Sequence, residues 1–194
     1  MKWMGNLALA AGLCLLVAGA GLWWSGQVGQ QEAGREWESL REEAAASVPV
    51  PVADGATMAR LWVPRLEKEE FIVKGASRRN LKRGPAWLAV TSPPGVKGNC
   101  VIAGHRDTHF RFLKDVQAGD EIQLEYGKRV FRYRVESLQV VKPENRELLG
   151  PARDSVLTLV TCYPFYYVGP APKRFIVRAV LAGGEQQQTT AKIL

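Results

Sequence analysis

Hydrophobic and polar positions alternate with a period of two along much of this chain from Met58 onward. In Val130–Val141, Phe131, Tyr133 and Val135 interleave with Val130, Arg132 and Arg134, the mark of a strand with one face buried. Ala59–Leu66 and Phe71–Lys74 predict a first strand pair. Asn99–Ala103, Asp120–Tyr126 and Arg174–Leu181 add three more strands, and Gly127-Lys128 supplies a hairpin turn before Val130. Ser155–Thr161 is apolar and β-branched, and reads as a buried strand. Short helical stretches are predicted around Arg78–Arg83, Phe110–Val116 and Asn145–Leu149. Many short strands with short helices between them predict an all-β fold, closed or nearly closed into a barrel.

The pattern changes before Met58. Leu7–Trp24 holds no charged residue, and with Trp3 to Asn6 it reaches about 20 residues, the length that spans a bilayer's hydrocarbon core. Trp3 and Trp23-Trp24 fall where aromatic belts form, and the positive charge (Lys2 and the amino terminus) lies on the short side. Residues 1–25 therefore predict a transmembrane anchor with its N-terminus in the cytoplasm. Ala18-Gly19-Ala20 also resembles a signal-peptide cleavage site, and either reading exports the rest of the chain. Residues 26–57 are polar and predict a linker with a stalk helix near Glu32–Ala46, where Trp37, Leu40 and Ala44 share one side, followed by the extended Val48-Pro49-Val50-Pro51. The last residues, 183–194, are rich in Gln and Thr and are expected to be a disordered tail.

Composition narrows the picture further. A chain of 194 residues with 46% apolar content suits one globular domain plus accessories. The net charge of +7 is dispersed, apart from a cluster at Arg78, Arg79, Lys82 and Arg83. With no basic run and no aromatic–basic motif, the cluster reads as a solvated helix face or a contact with an anionic membrane, not as a nucleic-acid site. Three cysteines, one of them Cys14 in the apolar segment, make no disulfide framework.

Candidate chemistry sits at strand ends. The strand from Ser155 stops at Cys162, and Pro164 turns the chain away, so the thiol is held at the rim of a sheet. Such a cysteine is either a nucleophile or an inert core thiol. Asn99–Ala103 ends in Gly104-His105, placing one of the two histidines of the chain at a strand terminus. If the two ends are level, the imidazole is the base that a thiol of ordinary pKa near 8.5 needs. Arg174 opens the strand after Cys162, and antiparallel pairing brings its guanidinium to the same rim, where it can donate to an oxyanion. Arg178 lies about 13 Å further along and reads as a surface charge.

Three ordered stretches resemble the signatures of the sortase family: Gly98-Asn99-Cys100-Val101-Ile102-Ala103-Gly104-His105-Arg106-Asp107, then Thr158-Leu159-Val160-Thr161-Cys162, then Lys173-Arg174-Phe175-Ile176-Val177. The resemblance runs from Met58 to Leu181, and the run His105–Leu113 looks most like the sortases of Gram-negative, largely marine proteobacteria. It implies an eight-stranded sortase-type β-barrel over residues 58–182, preceded by the membrane helix, with catalysis on the extracytoplasmic (periplasmic) side of the inner membrane. It also implies a cysteine transpeptidase acting on an LPxTG-like C-terminal sorting signal. By that resemblance Cys162 forms a thioacyl enzyme, His105 is acid and base, and Arg174 stabilises the oxyanion. An amine on the cell envelope or on another protein resolves the intermediate, and water in its place makes the enzyme a thiol protease. The aromatic stretch Tyr163–Pro172 is expected to wall the substrate groove, with Thr161, Tyr163, Phe165 and Tyr167 as substrate-binding candidates. Cys100 stands where the family strand carries an aliphatic residue and is read as a core hydrophobe. No metal and no cofactor is expected. Two rivals remain: a tethered binding module without catalysis, and a zinc site built from Cys100, His105, His109 and Cys162.

Overall fold

The computed structural model describes residues 6, 12–14, 16–17, 20–21, 28–39, 52–145, 147–182 and 186–187. Eight strands close into a barrel: β1 (Thr57–Val63), β2 (Lys68–Lys74), β3 (Ala86–Trp87), β4 (Gly98–Ala103), β5 (Glu121–Tyr126), β6 (Arg129–Val141), β7 (Ser155–Tyr163) and β8 (Lys173–Leu181). Their order is β5-β1-β2-β3-β4-β7-β8-β6, and β6 pairs back onto β5 to complete the circle. Closure leaves no sheet edge at that seam. The inward positions of the strands form one core, with Leu61, Ile72, Ile102, Leu124, Tyr133, Leu157, Leu159 and Val177 among its buried side chains.

The predicted anchor lies largely outside the described residues, and no helix among the described residues is long and apolar enough to cross a membrane. Residues 28–39 form a helix, α1. It packs on the barrel and does not stand off it as a stalk: Ala33 and Trp37 are buried. Leu40 and Ala44 lie outside the described residues. The side chain of Gln30 donates to the Arg83 carbonyl at 2.9 Å and accepts from the Phe71 N–H at 2.9 Å. Glu36 accepts from the Thr57 hydroxyl at 3.0 Å and the Arg83 guanidinium at 3.1 Å.

Several boundaries within the barrel differ from the sequence expectation. The first strand stops at Val63 and not at Leu66, because Pro64 has no N–H to give the ladder and instead opens a 3-10 turn, Pro64–Leu66. Glu67 closes that turn in the left-handed region (φ 49°), so β2 begins at Lys68, three residues earlier than the apolar pattern suggested. The two-residue β3 was not expected at all. It pairs parallel with β2 and antiparallel with β4, bridging them over only two positions. Between the strands, Arg78–Arg83 forms helix α2, Arg111–Asp115 forms a five-residue 3-10 helix, and Glu147–Leu149 a single 3-10 turn. In the tail, Gln186–Gln187 pair with Arg129 and Val130 of β6 as a short β9, and the remainder lies outside the described residues.

Candidate active site

The site is built on the three adjacent strands β4, β7 and β8. β4 and β7 run parallel, with Ala103 opposite Val160. The pairing continues one step past the end of β4: the Gly104 N–H donates to the Val160 carbonyl (3.1 Å), and the Thr161 hydroxyl donates to the Gly104 carbonyl (2.7 Å). His105 is thereby level with Cys162. On the other flank of β7, antiparallel β8 puts Arg174 directly opposite Cys162. Neighbouring strands lie about 4.8 Å apart, so the three residues form one row across the sheet. Leu157, Leu159 and Val177 point into the core. Alternation then sends Cys162 and Arg174 to the outer face, where a polypeptide can reach them.

Local chemistry holds the row in place. A Cβ on Gly104 would meet the Phe110 ring at 2.6 Å, so the residue before His105 has to be small for the loop to close. That closure is made by the Phe110 N–H on the His105 carbonyl at 2.9 Å. Phe110 is fully buried. His105 is exposed and Cys162 half-buried, and neither side chain carries a hydrogen bond to another described residue. Arg174 is half-buried, and its Nη1 donates to the carbonyls of Lys173 (3.0 Å) and Ala171 (3.3 Å). Both carbonyls are met by Nη1 alone, so Nε and Nη2 remain as further donors of the guanidinium.

The structure brings together His105, Cys162 and Arg174 and separates the other candidates. Thr161, read as a substrate contact, is 2% exposed. Its hydroxyl donates to the Gly104 carbonyl and so fastens the segment that leads to His105. Tyr163 and Phe165 are half-buried and pack edge-on at 5.9 Å, with both rings against Phe175. Tyr163 and Pro164 are joined by a cis peptide bond. Tyr167 stands at the surface of the same loop, beside the fully exposed Val168. Cys100 points into the core at 1% exposure, and burial pushes its thiol pKa up to about 12. Cys100 in the core and Cys162 on the outer face lie on opposite sides of the sheet and do not converge, and no metal-binding cluster occurs among the described residues.

Sequence reasoning did not bring His109 and Glu70 together. His109 is 6% exposed, and its Nδ1 lies 3.3 Å from Glu70 Oε2 on β2. Burial holds the Glu70 carboxyl above the ordinary carboxylate range, and the neighbouring His109 opposes that rise. The contact joins the loop after β4 to β2 across the barrel wall. No one-dimensional pattern joins positions so far apart in the chain.

The site is thus a thiol, an imidazole and a guanidinium set in one row on the outer face of a closed eight-stranded barrel. The Sortase domain family matches residues 61–182, and the chain belongs to the sortase family. It is 33% identical to Sortase D of Bacillus subtilis over 118 residues, covering 60% of each chain. It is 30% identical to Sortase SrtE1 of Streptomyces coelicolor over 185 residues, covering 83% of this chain and 52% of the relative. The chain thus spans between half and three-fifths of these relatives' length. Among solved structures, the catalytic domain of B. anthracis SrtD superposes with a TM-score of 0.61 at 33% identity, over 73% of this chain and 97% of that one.

Proposed function

We propose that this protein is a cysteine transpeptidase that cleaves an LPxTG-like C-terminal sorting signal and joins the new C-terminus to an amine. The observation that carries the reading is the cross-strand row His105–Cys162–Arg174 on the outer face of β4, β7 and β8. The thiolate of Cys162 attacks the carbonyl between Thr and Gly, and Arg174 donates to the oxyanion that forms. As the C–N bond breaks, His105 gives its proton to the departing amine, leaving a thioester on Cys162. His105 then takes a proton from the incoming amine, which attacks the thioester and releases the thiolate. The row fits this two-step transfer because one base serves both halves from one place.

The test is incubation of the full chain in detergent with LPxTG-like peptides and a small amine. Mass spectrometry should show a thioacyl adduct on Cys162 that is lost in Cys162→Ala and converts to the amide when amine is added. An adduct that only water releases would make the protein a protease, and no adduct from any peptide would favour the binding-module reading.

We further propose that residues 1–25 anchor the chain in the inner membrane with the barrel on the periplasmic side. Their uncharged run and flanking tryptophans support it. Protease added outside spheroplasts should degrade the barrel, and alkaline carbonate should leave the chain in the membrane pellet. Release by carbonate would overturn the anchor.

A further inference from the structure

The residue after His105 reaches across the site. Arg106 Nη2 donates to the Tyr167 carbonyl at 2.7 Å and to the Gly169 carbonyl at 3.3 Å. Its guanidinium carbon sits 5.7 Å from the centre of the Tyr167 ring. Arg111, on the same β4–β5 loop, lies 5.3 Å from the Tyr166 ring. Two cations from the loop that carries His105 therefore hold the loop that joins Cys162 to Arg174. The segment they hold leads straight to the oxyanion donor: Gly169 takes a positive φ of 102°, Pro170 and Pro172 flank Ala171, and the Ala171 carbonyl accepts from Arg174. Of the other two guanidinium nitrogens of Arg106, Nη1 is out of solvent and has no partner among the described residues. Buried donors are rarely left so. Nη1 is enclosed by protein, so the guanidinium works on the loop it grips and is not displayed to a ligand.

We infer that Arg106 is a positioning and specificity-determining residue: it clasps the β7–β8 loop beside the His105–Cys162–Arg174 row and so sets the width of the cleft that receives the sorting signal. This rests on the transpeptidase reading for its substrate, but the clasp itself is a physical contact that can be measured without turnover. Arginine suits the task because a planar fork engages two carbonyls and a ring at once, which a lysine point charge does not. With the clasp closed, groove width is set by the protein. With it open, the loop carrying Val168 and Tyr166 is free to accept more side chains, so selectivity falls along with affinity.

The experiment compares Arg106→Ala, Arg106→Lys and Tyr167→Phe in the full chain. Hydrogen exchange of amides 165–171 is read first. Arg106→Ala should raise it about tenfold, Arg106→Lys should recover part of the protection, and Tyr167→Phe, which keeps ring and carbonyl, should match the parent. Kinetics on a panel of LPxTG-like peptides with triglycine come second. Arg106→Ala should raise KM about tenfold, lower kcat less, and flatten the differences among peptides. Unchanged exchange would refute the clasp, and unchanged KM and peptide ranking would refute the specificity role. A loss confined to melting temperature would leave Arg106 as ordinary scaffold and overturn the assignment. If the parent forms no adduct with any peptide, the transpeptidase reading and the specificity role fall together, while the exchange data still decide the clasp.

Discussion

The two ends of the β4–β7 ribbon are fastened by the same residue type to opposite purposes. At the far end Thr158 donates to Asn99 Oδ1 at 2.7 Å, and the Asn99 amide donates to the Gly150 carbonyl at 3.0 Å. Thr158 and Asn99 are both buried, and their bond locks the register of the parallel pair. At the near end Thr161 donates to the Gly104 carbonyl at 2.7 Å, but the residues just beyond, His105 and Cys162, are left open. At the far end the Thr158–Asn99–Gly150 chain of hydrogen bonds is closed, whereas the near end is fastened up to the last residue before the chemistry and then stops. A site that must exchange partners during a reaction needs firm support immediately behind it and free groups at its face.

Breaking each end should therefore fail in different ways. The largest effect is expected from Cys162→Ala, which should abolish the thioacyl adduct and lower transpeptidation on the order of 10⁴-fold or more, since no second nucleophile stands in the row. Its melting temperature should match the parent. Arg174→Ala should cost about 10²–10³-fold in kcat if its donor meets the oxyanion, and a change in KM alone would recast it as a substrate contact. At the far end the sign reverses. Thr158→Val should destabilise by about 1–3 kcal/mol in urea unfolding, through loss of a buried hydrogen bond. Activity per folded molecule should stay unchanged.

Thr161→Val sharpens the comparison because it stands between the two regimes. A loss of about 1 kcal/mol in stability is expected, together with a several-fold drop in kcat as the His105 segment loosens. Stability loss without a kinetic effect would place Thr161 with Thr158. The smallest effect concerns acid. Arg65, hydrogen-bonded to Asp120 at 2.6 and 2.7 Å, holds that carboxyl below its ordinary range. The folded state thus binds this proton less readily than the unfolded chain. The stabilisation is full above the unfolded pKa near 4 and is lost as pH falls from there through the folded value. Arg65→Gln should flatten the fall in melting temperature between about pH 5 and pH 3.

The legible parts of the sequence were those where one short stretch holds both signal and consequence. Cys162, His105 and Arg174 each sit where an apolar strand begins or ends, so strand periodicity alone brought them to a rim. Their alignment in one row needed the β4–β7 register, which Thr158, Asn99 and Thr161 enforce through contacts more than 50 residues apart in sequence. The two-residue β3 was hidden because Ala86-Trp87 is too short to show a period. His109 with Glu70, Arg106 with Tyr167, and α1 with the barrel share one property. Each joins residues whose local sequence is ordinary, and only the closed sheet makes them neighbours.

The Gln30 contact has a consequence for solubility. On the side away from β1, β2 has a strand partner only at Val73 and Lys74. The Phe71 N–H would otherwise face outward as an unpaired rung, and the Gln30 amide occupies it as a strand from another molecule could. Helix α1 thus shields an adhesive ladder. A shortened chain that starts after residue 39 exposes that ladder, and such a fragment should self-associate through β2 in a way the longer chain does not.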